Sequence, residues 1–343
     1  MAAAITLDVV DPRSDPEPAY WAQWRASSGM WANWSYQALR VDAWTGRGPL
    51  VLCVLRSGAE ILGVVSAYIS GLPLRRTSYI SAGRRQLGLV DVRAPHSTAQ
   101  QGWWFDSRLS VAEQAELCRV YVRAMRRELG WRVWAVAWRH ARTVDLPMFA
   151  GRRTLVRRTP ALPVIDLPFG TSDDWLASLS RSRRTDLRRQ FRRVAEHPDV
   201  HFQFGRSADL VGVEEFARLL SENLAKYRRG HRGRRPHFSA AWLEAVFRVG
   251  GTLSVTYRDH TGRLLAASIA LDHPSLPVLS AWGAVPAGAG GFPHLYFDMY
   301  GQLIRWALDT HKGGLILGHS QVEVKTGLGA QLVPEHLVLT GLR

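Results

Sequence analysis

Residues 251–318, "GTLSVTYRDHTGRLLAASIALDHPSLPVLSAWGAVPAGAGGFPHLYFDMYGQLIRWALDTHKGGLILG", decide how the chain folds. "GTLSVTYR" and "LLAASIALDH" are apolar, β-rich runs separated by "DHTGR", a five-residue turn with glycine, so they predict a β-hairpin. "LPVLSAWGAV" predicts a third strand. "PHLYFDMYGQLIRWALDTH" has helical spacing, with Pro293 in the first turn where its missing N–H costs nothing. The short apolar "GLILG" predicts a buried strand, which after a crossover helix runs parallel to its neighbour.

The same order occurs earlier in the chain. "PLVLCVL", the turn "RSGA", "EILGVVSAYI" and "SYISAG" (residues 49–83) predict successive antiparallel strands. A helix follows in "SVAEQAELCRVYVRAMRREL", with Ser110 and Glu113 as a capping box and Gly130 as C-cap. "WRVWAVAW" then predicts a buried strand. Prolines and a glycine cluster in "RRTPALPVIDLPFG" (residues 157–170), where a linker is expected. The expected organisation is two α/β (α+β) domains of similar topology, residues 1–160 and 161–343, each a mixed sheet flanked by helices.

The chain has 343 residues and a formal charge of +15, which predicts a polyanionic partner such as RNA, a phosphorylated cofactor or an anionic membrane surface. Its only lysines are Lys226, Lys312 and Lys325, the remaining basic residues being arginine. Cys53 and Cys118 lie far apart without a C-x-x-C pattern, so neither a disulfide framework nor a cysteine metal site is expected. The histidines are dispersed, and no metal is predicted. The first residues lack a basic segment followed by an apolar core, and no apolar run reaches the roughly 20 residues of a membrane span. A cytoplasmic protein, or one peripheral to a membrane, is expected.

"SLSRSRRTDLRRQFRRV" (residues 178–194) holds seven arginines and one acid. Thr171 and Asp174 predict a cap, and Trp175–Val194 a helix with Leu176, Leu187, Phe191 and Val194 on its apolar face. Arg181, Arg184, Arg188 and Arg192 form a stripe beside that face, widened by Arg189 and Arg193. Solvated helices interleave Glu with their cations, whereas like charges at i,i+4 repel by a few tenths of a kcal/mol per pair. The stripe is therefore expected to bind phosphates. Arg183 points toward the apolar side. A second basic cluster, "KYRRGHRGRRP" (residues 226–236), contains Lys226, Arg228 and Arg229 and is expected to be a loop that orders on a phosphate backbone.

In "GHSQVEVKTGLGAQLVP" (residues 318–334), Lys325 precedes Gly327 and Gly329. A compact ammonium suits a developing oxyanion or a phosphate, and glycines allow close backbone approach. Together, the arginine segment, "WGAVPAGAGGFPHLYFDMYGQLIRWALD" and "VEVKTGLGA" resemble the catalytic half of the Fem-type aminoacyltransferases, tandem GNAT proteins that build peptidoglycan bridges. "VEVKTGLGA" resembles the family's F-K-x-G-F-G, with Val324 and Leu328 in place of the aromatics. The resemblance implies two tandem GNAT-like domains, an aminoacyl-tRNA as co-substrate with no other cofactor, and Lys325 at the tRNA acceptor end.

An aminoacyl ester is already activated, so its transfer to an amine needs orientation and oxyanion stabilisation more than a protein nucleophile. No G-x-S-x-G elbow occurs, in keeping with this. Asp298, in the first turn of its helix, is a candidate for positioning the amine or accepting its proton, with Tyr296 and Tyr300 nearby, and His294 is expected to be a polar cap. The acceptor is an amine-bearing small molecule or peptide. Two alternatives stay open. One is a GNAT N-acetyltransferase using acyl-CoA, although the R/Q-x-x-G-x-G/A turn of that class is missing. The other is a non-catalytic RNA- or membrane-binding protein displaying some of the 14 tryptophans.

Overall fold

The computed structural model describes residues 5–45, 50–71, 88–97, 99–129, 133–151, 153–227 and 238–341. Two compact units divide the chain: Met1–Ser28, Asn33–Ala161 and Pro334–Arg343 form one, Gly29–Ala32 and Leu162–Val333 the other. They depart from two contiguous domains because Gly29–Ala32 is exchanged one way and the C-terminal segment from Pro334 the other. Each carries a mixed sheet with helices against it.

In the first unit, β1 (Ile5–Val10), β2 (Leu50–Ser57), β3 (Glu60–Gly71) and β4 (Gly88–Val92) pair successively antiparallel. Helices α1 (Trp21–Ser27) and α2 (Tyr36–Thr45) lie between β1 and β2, and β5 (Trp103–Phe105) pairs with β3. The crossover helix α3 (Val111–Leu129) follows, with Ser110 and Glu113 forming the expected capping box. Next, β6 (Val133–Arg142) pairs parallel to β4 over Gly88–Val92. The core gathers Cys53, Val65, Leu117, Tyr121 and Trp138. "SYISAG" and Gly130 lie outside the described residues.

In the second unit, β7 (Thr154–Asp166) enters from the first. It is followed by α4 (Ser172–Ser178), α5 (Arg181–Ala195), β8 (His201–Arg206), α6 (Ser207–Leu210), α7 (Val213–Tyr227) and α8 (Ala240–Arg248). The opening sequence then folds as expected: β9 (Thr252–Arg258), β10 (Leu264–Leu271), β11 (Val278–Ala284), α9 (Leu295–Asp309) and β12 (Gly314–Ile316). Asp259 accepts hydrogen bonds from the Thr261 and Arg263 amides and Gly262 takes φ +85°, closing the β9–β10 turn. A short α10 (Val322–Thr326) precedes β13 (Gln331–Gly341), whose last residues pair antiparallel with β6.

The predicted helix over 175–194 is two helices. Thr171 and Asp174 cap α4 as expected, but Leu179 is extended and buried, and the Ser180 hydroxyl accepts from the Arg183 amide to start α5. A new N-cap stabilises by about 1 kcal/mol, and the break inserts Leu179 into the core. Trp21, Trp34, Trp138, Trp175 and Trp242 are fully buried, whereas Trp44 and Trp134 are exposed.

Candidate active site

The two crossovers differ. In the first unit β4 and β6 pair along five residues, but in the second β11 and β12 pair only at Val278↔Ile316. Beyond that pair β11 continues along β10, while the chain leaving β12 turns at Gly318 (φ +75°). The seam between two parallel strands therefore opens on the side where α9 and α10 begin, the C-terminal ends of the strands. Open α/β sheets bind ligands at such a place.

Lys325 closes the β12 end of this seam. Its side chain is 1 % exposed, and its ammonium donates to the Leu317 and Gly318 carbonyls at 2.6 and 2.8 Å. Burial pulls its pKa from 10.5 down to about 8. Gln321, in a left-handed conformation, starts the single turn of α10 that aims this lysine inward. The following residues are held from α4 and α5. Arg183 donates Nε to the Gly327 carbonyl at 3.2 Å and lays its guanidinium 4.7 Å from the centre of the Phe297 ring, while Trp175 donates to the Leu328 carbonyl at 3.1 Å. Gly329 takes φ +88°, with a hypothetical Cβ only 3.2 Å from Leu179. The close approach expected of Gly329 is thus to the protein's own core. The arginine helix, α9 and the lysine loop converge on Arg183.

Asp298 is buried in α9. It accepts from the Tyr257 hydroxyl at 2.6 Å and from the Gln302 amide at 3.3 Å. Burial raises its pKa, and the two hydrogen bonds oppose the rise. Tyr296 shares a 3.1 Å hydroxyl contact with Tyr300. Lys325 and Asp298 are therefore each held by partners of their own. Tyr257 on β9 was missed by sequence reasoning, since nothing in the sequence couples two residues 41 apart; Gln302, four residues after Asp298, follows a readable helical pairing.

Helix α5 buries Leu187 and Val194 and sets Phe191 against Gly301 of α9. Arg181, Arg188, Arg189, Arg192 and Arg193 are exposed. Arg189 pairs with Asp186 at 2.7 Å and Arg188 reaches Asp173 at 4.0 Å. Arg184 folds back to the Ala177 carbonyl and leaves the outward row. Arg193 and Arg189 lie close enough to the start of α9 that, after burial, their charges lower the pKa of His294. His294 precedes the helix in a left-handed conformation at φ +73° and makes no side-chain capping bond, contrary to its expected role. Arg263, from the β9–β10 turn, donates to the Ala289 carbonyl in the same loop. Cations from separate elements thus reach the loop before α9, whose first N–H groups carry the positive end of the helix dipole. The Lys226 side chain, Arg228 and Arg229 lie outside the described residues.

Residues 181–311 match the acetyltransferase (GNAT) domain family. No curated protein matches the chain in sequence. Among solved structures, the C-terminal domain of an Agrobacterium fabrum protein named as a lysylphosphatidylglycerol synthetase aligns at TM-score 0.61 and 12 % identity over 94 % of this chain and 92 % of that one. FemX aligns at TM-score 0.54 and 10 % identity over 95 % and 94 %. L-PGS from Bacillus licheniformis aligns at 0.54 and 10 % over 81 % of each chain. At these identities the likeness is one of fold. Residues 181–311 thus match a GNAT-type acyltransferase domain, within a chain whose fold is like that of FemX.

Proposed function

We propose that this GNAT-type acyltransferase takes an aminoacyl group from an aminoacyl-tRNA and passes it to an amine on a small molecule or peptide. The observation carrying this reading is the exposed guanidinium row of α5, running to Arg189 and Arg193 beside the start of α9. A row along a helix suits an extended phosphate backbone better than a single compact phosphate group. In the reaction the amine nitrogen attacks the ester carbonyl, a C–N bond forms and the ribose C–O bond breaks. The amine gives up a proton and the ribose oxygen gains one.

The protein's contribution is to place the two substrates and to stabilise charge. Two of the three Lys325 N–H groups are on carbonyls, and the third serves the departing ribose oxygen. A pKa near 8 suits proton donation at neutral pH. Asp298, fixed by Tyr257, positions the attacking amine from the α9 side.

Acyl-CoA is the second reading. Arg263 at Ala289, with Arg189 and Arg193 near His294, supplies the cations that the loop sequence "AGAGGF" lacks, and such a cluster also suits a pyrophosphate. Incubation with a mixed charged-tRNA pool and, separately, with acetyl-CoA, each with amine acceptors, distinguishes the donors. Transfer of radiolabelled amino acid from tRNA to an amide product is expected. Consumption of acetyl-CoA with charged tRNA left intact would overturn the proposal in favour of the second reading.

A further inference from the structure

A cleft of about 150 Å³ opens in the second unit between α7 and the β10–β11 hairpin. Leu219, Leu264 and Val285 form its apolar floor, and Gly283 lets α7 come close, since a Cβ there would sit 3.0 Å from Leu219. Its rim carries both signs of charge. Glu215 is committed to Arg258, which it meets through both oxygens at 3.1 and 2.9 Å. Arg218 and Glu222, one helical turn apart, are a spacing at which ion pairs readily form, yet neither has a partner among the described residues. Arg263 completes the rim and is tied to Ala289, in the loop that leads from Val285 to α9.

We infer that this cleft binds a dipolar, amino-acid-type ligand, the ammonium against Glu222 and the carboxylate against Arg218 and Arg263. A carboxylate alone would meet Glu222 and a simple amine would meet the two guanidiniums, so each is disfavoured by the group of like charge. The apolar floor accommodates a short side chain. If the transfer reaction above is correct, the cleft is where the acceptor waits, joined through Arg263 to the loop that leads to α9. The inference deepens that reading by naming the acceptor class, an amine that carries a carboxylate.

Binding is tested without any acyl donor, on the full chain labelled at Leu and Val methyls. L-alanine is titrated in, and ethylamine and propionate in parallel. Saturable shifts of the Leu219, Leu264 and Val285 methyls are expected with L-alanine, with apparent affinity for either singly charged probe weaker by about tenfold or more. Glu222→Gln weakens L-alanine binding by a similar factor and leaves propionate unharmed; Arg218→Gln does the reverse for ethylamine. The methyl spectrum itself reports that each variant is folded. Equal responses to all three probes, or no shift at these methyls with L-alanine, overturns the inference. Donor consumption is a separate measurement: charged tRNA consumed by a chain that ignores L-alanine sinks the cleft alone, and L-alanine bound by a chain that ignores charged tRNA sinks the donor assignment alone.

Discussion

A lysine ammonium sealed from water is unstable unless something compensates, and at Lys325 two backbone carbonyls do so only in part. Its pKa falls from 10.5 to about 8, so between those values the unfolded chain holds a proton that the folded chain has released. Stability rises with pH through this window and the full penalty is present below it. From pH 7.5 to 9.5 the gain from this group is about 2 kcal/mol. Lys325→Met keeps the stem but cannot titrate, so urea unfolding of wild type and variant at the two pH values should diverge by that amount, the wild type gaining more. An equal slope would mean that the ammonium is solvated. In the transfer assay, Lys325→Ala should lower turnover about a hundredfold, and the wild-type rate should fall above pH 8 as the donating proton is lost. Unchanged turnover would leave Lys325 as a structural clasp for the end of β12.

Elements explain what periodicity shows and what it hides. The β9–β10 hairpin, β11, α9 and β12 were legible because apolar runs, a Gly turn and 3.6-residue spacing all agreed within 68 residues. The break between α4 and α5 was not, because Ser180 starts a helix in mid-pattern and only the buried, extended Leu179 reveals it. Lys325 was singled out by composition, but its carbonyl partners and the Arg183 brace depend on tertiary approach. The same division governs α5. Its outward face was readable from spacing, and its seat on α9 needed Gly301, where a Cβ would lie 2.8 Å from the Phe191 ring. Gly301→Ala gains up to about 1 kcal/mol of helix propensity but overpacks by about 1–3 kcal/mol. A net loss of thermal stability is expected, diminished when Phe191→Leu removes the ring; additive losses would show that the helices do not meet there. On the exposed side, changing Arg188, Arg189, Arg192 and Arg193 together to Gln should lower the slope of log affinity for tRNA against log salt, by about 0.7–0.9 for each phosphate no longer neutralised. An unaltered slope would make α5 a solvated face.

At the scale of the whole molecule, chain order and fold order part company. Residues 334–341 follow the second unit in sequence yet complete the sheet of the first, pairing with β6 from Glu335↔Arg142 to Gly341↔Ala135. No local signal marks this: "PEHLVLTGL" reads as a strand, and which sheet accepts it is decided by contacts some 200 residues away. The strand is well anchored there. Val338 is fully buried, Trp138 donates its indole N–H to the Thr340 hydroxyl at 3.1 Å, and His140 meets the buried Glu335 carboxylate at 2.9 Å. Losing Val338 burial and these polar contacts removes at least about 3 kcal/mol from the first unit. A chain ending at Val333 should therefore exchange its β6 amides much faster than the full chain, while protection across β9 and β10, whose hydrogen bonds lie within the second unit, should change little. Equal protection of β6 in both chains would mean that β13 contributes no stability to the unit it joins, and that the first unit stands on β1–β6 and α3 alone.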